Sequence, residues 1–257
     1  MEKPAVLPGG IRRRVEESKR VCVFTGAGVS AESGIPTFRD AGGLWEQYRV
    51  EDLVTPEGFA RDPVAVWRWH AWLQGLSFST EPNAAHKVIA ALDQVYPDFL
   101  LITQNVDDLH ERGGTERLVK LHGDIMETRC LSAEHVVRVE SPLDKDAFTD
   151  GESLPKCPKC GGATRPNVVW FGEFLPVGAL ETGREFAATC DLLLIVGTSG
   201  MVSGGYGFTE LAKLAGALIL EVNPRESALS YLADLSIRLP AAEALPRMFD
   251  GLLRVEC

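Results

Sequence analysis

Short apolar runs that stop abruptly at turn or polar residues recur along the chain. They are Val21-Cys-Val-Phe24, Phe99-Leu-Leu-Ile-Thr103, Leu192-Leu-Leu-Ile-Val196 and Ala217-Leu-Ile-Leu-Glu-Val222. Strands covered by helices on both faces of a parallel sheet have this near-continuous apolar character. Ser236-Ile-Arg-Leu239 is a weaker fifth candidate. Helical spacing fills the intervals. Glu81 to Val95 carries apolar residues at 84, 85, 88, 89, 92 and 95, one face of a helix that Asn83 is placed to cap. Phe208 to Ala217 repeats the pattern after the Gly204-Gly205 punctuation. Strands alternating with helices predict an α/β fold, a Rossmann-like parallel sheet with helices on both faces.

Two segments break the rhythm. Trp45 to Phe78 is rich in Trp and has helical spacing punctuated by Pro56 and Pro63. Asp124 to Pro166 is polar, carries a cysteine pair and has no buried-strand run. Both are expected to pack together or on the sheet as a smaller, discontinuous lobe. The expected division is one domain over 1–257, with a large lobe at about 1–45, 80–123 and 167–257 and a small lobe at about 46–79 and 124–166. Arg165-Pro-Asn-Val-Val-Trp-Phe171 leads back to the large lobe.

Composition narrows the class. At 257 residues and 45% hydrophobic content, the chain can bury a core that needs no disulfide staples. A formal charge of −10 argues against a sequence-independent nucleic-acid binder. No stretch approaches the roughly 20 apolar residues that cross a bilayer. Met1 to Arg20 has three arginines at 12–14 with no apolar run before them, unlike a secretory signal. The expected location is therefore the cytoplasm. Of the six cysteines, Cys22 and Cys190 sit in or beside apolar runs and read as small core residues, whereas Cys157 and Cys160 form a C-x-x-C pair.

The first chemical feature is Gly26-Ala27-Gly28-Val29-Ser30-Ala31, a G-x-G-x-x-A turn directly after an apolar strand. Glycines let the backbone approach a pyrophosphate, and a following helix N-terminus offers N–H groups and a positive dipole end. The alternative is a glycine-rich turn with no ligand. A dehydrogenase would place a ribose-binding carboxylate about 20 residues on, at a strand end. Here that region is Ala41-Gly-Gly-Leu-Trp45, which reads as a loop. Hydride transfer is disfavoured.

Gly26 to Asp40, in the form GAGVSAESGIPTFRD, closely resembles the signature of the sirtuins, the NAD-dependent protein lysine deacylases. The resemblance continues in Thr103-Gln-Asn-Val-Asp107, Leu121-His-Gly-Asp124, Val168-Val-Trp-Phe-Gly-Glu173, Gly197-Thr-Ser199 and Glu221-Val-Asn223, in the family's order. Residues 44–59 look most like the bacterial branch related to the desuccinylase class. The resemblance implies a Rossmann-like lobe and an NAD co-substrate. His122 becomes the base that takes a proton from the NAD ribose, a role suited to an imidazole near neutral pH.

The implied NAD contacts are Gly26, Ala27, Gly28, Ala31, Gln104, Asn105, Asp107, Gly197, Thr198, Ser199, Asn223 and Ala241. Asn105 and Asp107, at a strand end, would line the nicotinamide pocket and order ribose or water, although Asp107 and Asp108 also suit a helix cap. Phe38 and Arg39 look like the family's mobile-loop pair, the ring covering the nicotinamide site and Arg39 organising the reacting groups. Glu221-Val-Asn223 would stand in for the missing early carboxylate. Val168, Val169, Trp170, Phe171 and Gly172 resemble the segment that pairs with substrate peptide as an added strand, the alternative being a core strand.

The chain also departs from the family pattern. Most sirtuins carry two C-x-x-C pairs that bind a structural zinc. Cys157-Pro-Lys-Cys160 is a complete second half and Cys130 begins the first, but Ala133 stands where its partner belongs. His135 could be the fourth ligand; otherwise the site is a weakened three-cysteine one or has been lost. The desuccinylase class has a Tyr-x-x-Arg pair in its acyl pocket, and those positions here fall on His70 and Leu73. Leu73 cannot bind a carboxylate, which favours acetyl or longer neutral acyl groups. The expected function is NAD-dependent deacylation of protein lysines, with deacetylation foremost. Mono-ADP-ribosyl transfer from the same site and a non-enzymatic NAD sensor are the alternatives; a pure sensor has no need of His122, Asn105 and Asp107.

Overall fold

The computed structural model describes residues 7–37, 43–44 and 48–252. The chain opens with α1 (Gly9–Glu17), β1 (Arg20–Thr25) and the single turn α2 (Gly28–Ala31). Three helices follow: α3 (Val50–Leu53), α4 (Pro56–Arg61) and α5 (Pro63–Ser79). Next come α6 (Ala84–Val95), β2 (Asp98–Thr103), α7 (Leu109–Arg112) and β3 (Leu118–Lys120). Strands β4 (Gly123–Cys130), β5 (Val136–Arg138) and β6 (Thr164–Val168) form the middle. The last part holds α8 (Val177–Ala187), β7 (Leu192–Val196), α9 (Phe208–Leu214), β8 (Leu218–Val222), β9 (Leu235–Ile237) and α10 (Ala241–Met248).

Six strands form a wholly parallel sheet in the order β3-β2-β1-β7-β8-β9. All five apolar runs anticipated from the sequence are strands of this sheet. Successive side chains in a strand point to opposite faces. Val21 and Val23 of β1 accordingly enter one core with α6 and α10, while Cys22 and Phe24 enter another with α8 and α9. The strand order reverses at β1, and open α/β sheets hold ligands outside the carboxyl ends of strands at such a switch point.

Helix ends follow local chemistry. The Thr55 hydroxyl accepts from Gly58 N–H at 2.9 Å and Asp62 Oδ1 from Ala65 N–H at 2.9 Å, each before a proline in the first turn. Asn83 Oδ1 accepts from Ala85 N–H at 2.9 Å, and Asn83 N–H donates to His86 Nδ1 at 3.2 Å. The 208–217 pattern yields a shorter helix, because the chain turns at Ala215-Gly216 into β8.

The two irregular segments pack on each other. Leu53, Val66, Trp69 and Leu73 from the helical stretch meet Ile125, Met126 and Trp170 in one cluster, and Trp67 and Ala71 meet Phe148 in a second. The polar segment does hold strands, in an antiparallel sheet ordered β5-β4-β6. Periodicity did not reveal them, because β5 is largely exposed and no run in this region is continuously apolar.

Strand β3 also escaped the sequence pattern. Its three residues are half-buried at the sheet edge. Buried Asp93 at the end of α6 sets its approach, accepting from Glu116 N–H at 2.7 Å, Arg117 N–H at 3.1 Å and Arg117 Nε at 2.5 Å. Asp93→Ala strands those donors and is expected to cost about 2–3 kcal/mol. Urea unfolding checks this; an unchanged midpoint would show that β3 is held by its pairing with β2 alone.

Candidate active site

The turns after β1, β2, β3, β7 and β8 converge at one edge of the parallel sheet. The first and fourth touch backbone to backbone. Gly28 N–H donates to Gly197 O at 2.8 Å, and a Cβ on Gly28 would stand 2.7 Å from that oxygen. Only glycine permits this approach. Thr198 Oγ1 donates to Gln104 Oε1 at 2.7 Å, and Asn223 Nδ2 donates to Thr198 O at 2.8 Å. Gly26, Ala27, Gly28, Gln104, Gly197, Thr198 and Asn223 thus belong to one connected edge. Ser199 is exposed beside them, and buried Ala241 opens α10.

Two expectations for this edge change. The helix after Gly26-Ala-Gly28 is one turn of four residues, ending at exposed Ala31, so little macrodipole accumulates there. Glu221, expected beside Asn223 as a ribose ligand, points inward and is fully buried. Its carboxylate accepts from Ser227, Ser230, Ser236 and Arg238. Burial alone would raise its pKa, but these donors outweigh it and hold the carboxyl below its ordinary value. Asn223 alone remains at the edge.

His122 lies between β3 and β4. The following Gly123 has φ +78°, and a Cβ there would meet Asn167 O at 2.1 Å, so the sharp turn that presents the imidazole needs glycine. His122 Nδ1 lies 2.8 Å from Gln104 O and Nε2 lies 2.7 Å from Tyr206 Oη. A carbonyl oxygen only accepts, so Nδ1 carries the proton and, in the neutral ring, Nε2 holds the lone pair.

A buried polar cluster begins one residue after Gln104, whose carbonyl holds the imidazole. Ser30 Oγ accepts from Asn105 Nδ2 at 3.1 Å and donates to Asp107 Oδ2 at 3.1 Å. Leu109 N–H donates to Asp107 Oδ1 at 3.1 Å, so Asp107 both caps the next turn and joins the cluster. Burial pushes the Asp107 carboxyl up to about 6 against the pull of Leu109 N–H, Lys120 and Ser30. His86 Nε2 also reaches Ser30 Oγ, at 3.4 Å. Desolvation lowers the His86 pKa to about 4, keeping that ring neutral. Ala27, Ser30, Leu73, Asn105, Asp107 and Ile125 line a narrow cavity at this point.

The 168–172 segment runs beside the imidazole. Val168 pairs with Gly123, and Val169 N–H donates to His122 O at 2.8 Å. Trp170 takes the core alternative: its ring is buried under the Arg165 guanidinium, 3.4 Å away, and its Nε1 donates to His70 Nε2 at 3.3 Å. Phe171 and Gly172 are exposed. His70 Nδ1 donates to Val66 O at 2.8 Å, and burial lowers the His70 pKa to about 4. His70 is therefore an uncharged structural residue.

At the tip of the antiparallel sheet, the ligand atoms of Cys130, His135, Cys157 and Cys160 all lie within 4.8 Å of one another. Cys130 Sγ and Cys160 Sγ are 3.5 Å apart, and Cys157 Sγ is 3.4 Å from His135 Nδ1. Zinc–sulfur bonds of about 2.3 Å at tetrahedral angles place ligand atoms less than 4 Å apart, so the set fits zinc. The β4–β5 turn returns His135 to the place that Ala133 cannot fill.

Phe38 and Arg39 lie outside the described residues. Sequence reading missed two groups here. Ser30 stands in the glycine turn, and a hydroxyl four residues past Gly26 carries no signal of its own. Tyr206 was hidden in a stretch read as punctuation before a helix, although Gly204-Gly-Tyr-Gly207 is an unusual setting for an aromatic residue.

Comparison with known proteins agrees with this geometry. The Sir2 family model matches residues 26–204. NAD-dependent protein deacylase 2 of Pyrobaculum aerophilum is 46% identical over 237 residues, 92% of each chain. The NAD-dependent protein deacylase of Aquifex aeolicus is 42% identical over 238 residues, 92% of this chain and 96% of that one. A solved Sir2 homologue–NAD complex superimposes with a TM-score of 0.88 at 41% identity, covering 96% of this chain and 94% of the other. A Sir2–p53 peptide–NAD+ complex does so with a TM-score of 0.80 at 28% identity, over 95% and 97%. A glycine-lined dinucleotide edge, a histidine presented over a buried Asn–Ser–Asp cluster and a likeness spanning nearly the whole chain have one common source: the chain belongs to the Sir2 family.

Proposed function

We infer that the chain is an NAD-dependent protein lysine deacylase that releases nicotinamide, free lysine and O-acyl-ADP-ribose. One observation carries the chemistry: His122 presents Nε2 at the sheet edge where the Gly26 and Gly197 turns meet. In this reaction the acyl oxygen attacks C1′ of the NAD ribose as nicotinamide leaves. A ribose hydroxyl, freed of its proton by His122, then attacks the resulting imidate carbon, and the C=N pair moves onto nitrogen. Departure of the lysine amine with addition of water leaves the acyl ester. The Gln104 carbonyl holds the base in the required tautomer. Asn105, Ser30 and Asp107 would order the ribose and nicotinamide side, with Arg39 completing the set. Phe171 and Gly172, exposed at the end of β6, suit backbone pairing with a substrate peptide. The small lobe is assigned to about 46–79 and 124–166, the large one to the remainder.

The acyl pocket follows from α5. His70 is neutral and occupied by Trp170, and Leu73 is apolar, so nothing on this face pairs with a succinyl carboxylate. Acetyl and longer neutral chains are the preferred substrates. Cys130, His135, Cys157 and Cys160 are the proposed holders of a structural zinc, which would tie the β4–β5 turn to the 157–160 knuckle far from the reaction.

A panel of acyl-lysine peptides tests the function. Acetyl peptide should yield O-acetyl-ADP-ribose at least about 10-fold faster than succinyl peptide yields its product, the effect of one missing charge-assisted bond. Labelled protein without O-acyl-ADP-ribose would favour ADP-ribosyl transfer instead. His122→Ala should keep NAD binding and lose about 10²-fold or more of the rate.

Asp107 should reveal its place through stability. A carboxyl whose folded pKa is raised to about 6 is harmless below its unfolded value of about 4, is penalised increasingly as pH rises from there to about 6, and carries the full penalty above it. Asp107→Asn is therefore expected to stabilise the protein by about 2–3 kcal/mol above pH 7, with the gain vanishing near pH 4, while impairing deacylation. Melting curves at both pH values check this; equal gains at both would contradict the assignment.

The metal proposal predicts about one zinc per purified chain, and His135→Ala should lower both that content and resistance to chelators. Undiminished zinc in the variant would leave a three-cysteine site.

A further inference from the structure

Tyr206 stands in a conformation that calls for a cause. Its φ is +61°, and no other non-glycine residue among the described ones has positive φ. Such backbone is strained for a non-glycine residue and persists where the surroundings enforce it. Gly205 and Gly207 on either side also have positive φ, at +69° and +78°. The loop begins directly after Gly197-Thr-Ser199. It ends at Phe208, whose buried ring lies 5.9 Å from that of Tyr206.

This strained backbone places Tyr206 Oη 2.7 Å from His122 Nε2. Because Nδ1 gives its proton to the Gln104 carbonyl, Nε2 is the acceptor and the phenol is the donor. The lone pair that the base needs is thus already engaged. Two hydroxyls cannot donate to it at once, and a ring held between Phe208 and His122 on an enforced backbone is not arranged to swing aside.

We propose that the working base is the His122–Tyr206 pair, with the ribose proton passing to His122 through the Tyr206 hydroxyl. The inference rests on the assignment of His122 as base. The ribose O–H bond breaks as its proton joins Tyr206 Oη, and the proton already on Oη moves to Nε2. The freed oxygen pair forms the bond to the imidate carbon as the C=N π pair moves onto the lysine nitrogen. Tyr206 ends neutral and His122 ends as imidazolium, so the phenol is both acid and base in one concerted transfer. The same hydrogen bond fixes the ring plane of His122 from the side opposite Gln104.

Tyr206→Phe removes only the hydroxyl and keeps the ring against Phe208. Nicotinamide departure precedes the use of the base, so the two halves of the reaction can be read separately. The first is exchange of labelled nicotinamide into NAD in the presence of acetyl-lysine peptide; the second is O-acetyl-ADP-ribose formation. The variant should bind NAD and exchange nicotinamide like the wild type while forming product about 10²-fold more slowly. Product formation at the wild-type rate would overturn the proposal and make Tyr206 a cap that NAD displaces. A parallel fall in NAD binding, exchange and product would overturn it as well, leaving the tyrosine a support for the loop. If the wild-type chain itself released no nicotinamide, the deacylase reading would fall first and this inference with it.

Discussion

Gln104 leaves β2 with its N–H on the Thr25 carbonyl at 2.9 Å, its own carbonyl on His122 Nδ1 and its side-chain oxygen on the Thr198 hydroxyl. Three separate segments are thereby joined at the point where the strand order reverses. If this junction slipped, the imidazole would lose its tautomer and the fourth turn would lose its depth relative to the first. The close approach of Gly28 to Gly197 depends on the same spacing. Parallel register makes the junction possible, since β1 aligns Thr25 with Thr103 on one side and with Val196 on the other.

The buried polar cluster beside this junction is stabilised as a whole rather than pair by pair. Ser30 accepts from Asn105 and gives its proton to Asp107, and neutral His86 approaches from α6. Each group alone would be costly to bury. Burial raises the Asp107 pKa despite its hydrogen bonds, so the compensation within this cluster is incomplete. Outside it, Asp108 takes Arg138 from β5 at 3.3 Å and Ser77 from α5 at 3.2 Å. The loop carrying Asp107 is therefore anchored to both irregular segments, which ties the cysteine-bearing sheet to it mechanically.

Much of this was legible in the chain. Near-continuous apolar runs identified five strands of the parallel sheet, and Asn83, Pro56 and Pro63 marked helix starts through their local hydrogen-bonding and φ constraints. The glycine turn stood out by its motif, and the resemblance to the sirtuins singled out Asn105, Asp107 and His122. The antiparallel strands were not legible, because β5 is largely exposed and β4 and β6 mix polar with apolar residues, so no continuous apolar run marks them. Strand β3 was too short and depends on Asp93 from a distant helix. The Glu221 expectation failed for a related reason: a strand-end carboxylate looks the same in sequence whether it faces ligand or interior. Four donors brought by later segments decide that it faces inward.

The sequence alone determined the residue types and their local order: glycines where backbones must approach, apolar runs with helices between them, a histidine followed by the glycine that turns it outward, and three cysteines with one histidine in reach. Local sterics and periodicity act over a few residues, so these are readable from one strand of text. Tertiary structure decided which nitrogen of His122 carries the proton, that His135 completes the cysteine set, and that Tyr206 lies on the base. Those outcomes depend on distances between segments up to 84 positions apart, as between His122 and Tyr206. Only the packed sheet sets such distances, because a hydrogen bond forms within a few tenths of an ångström whatever the separation along the chain.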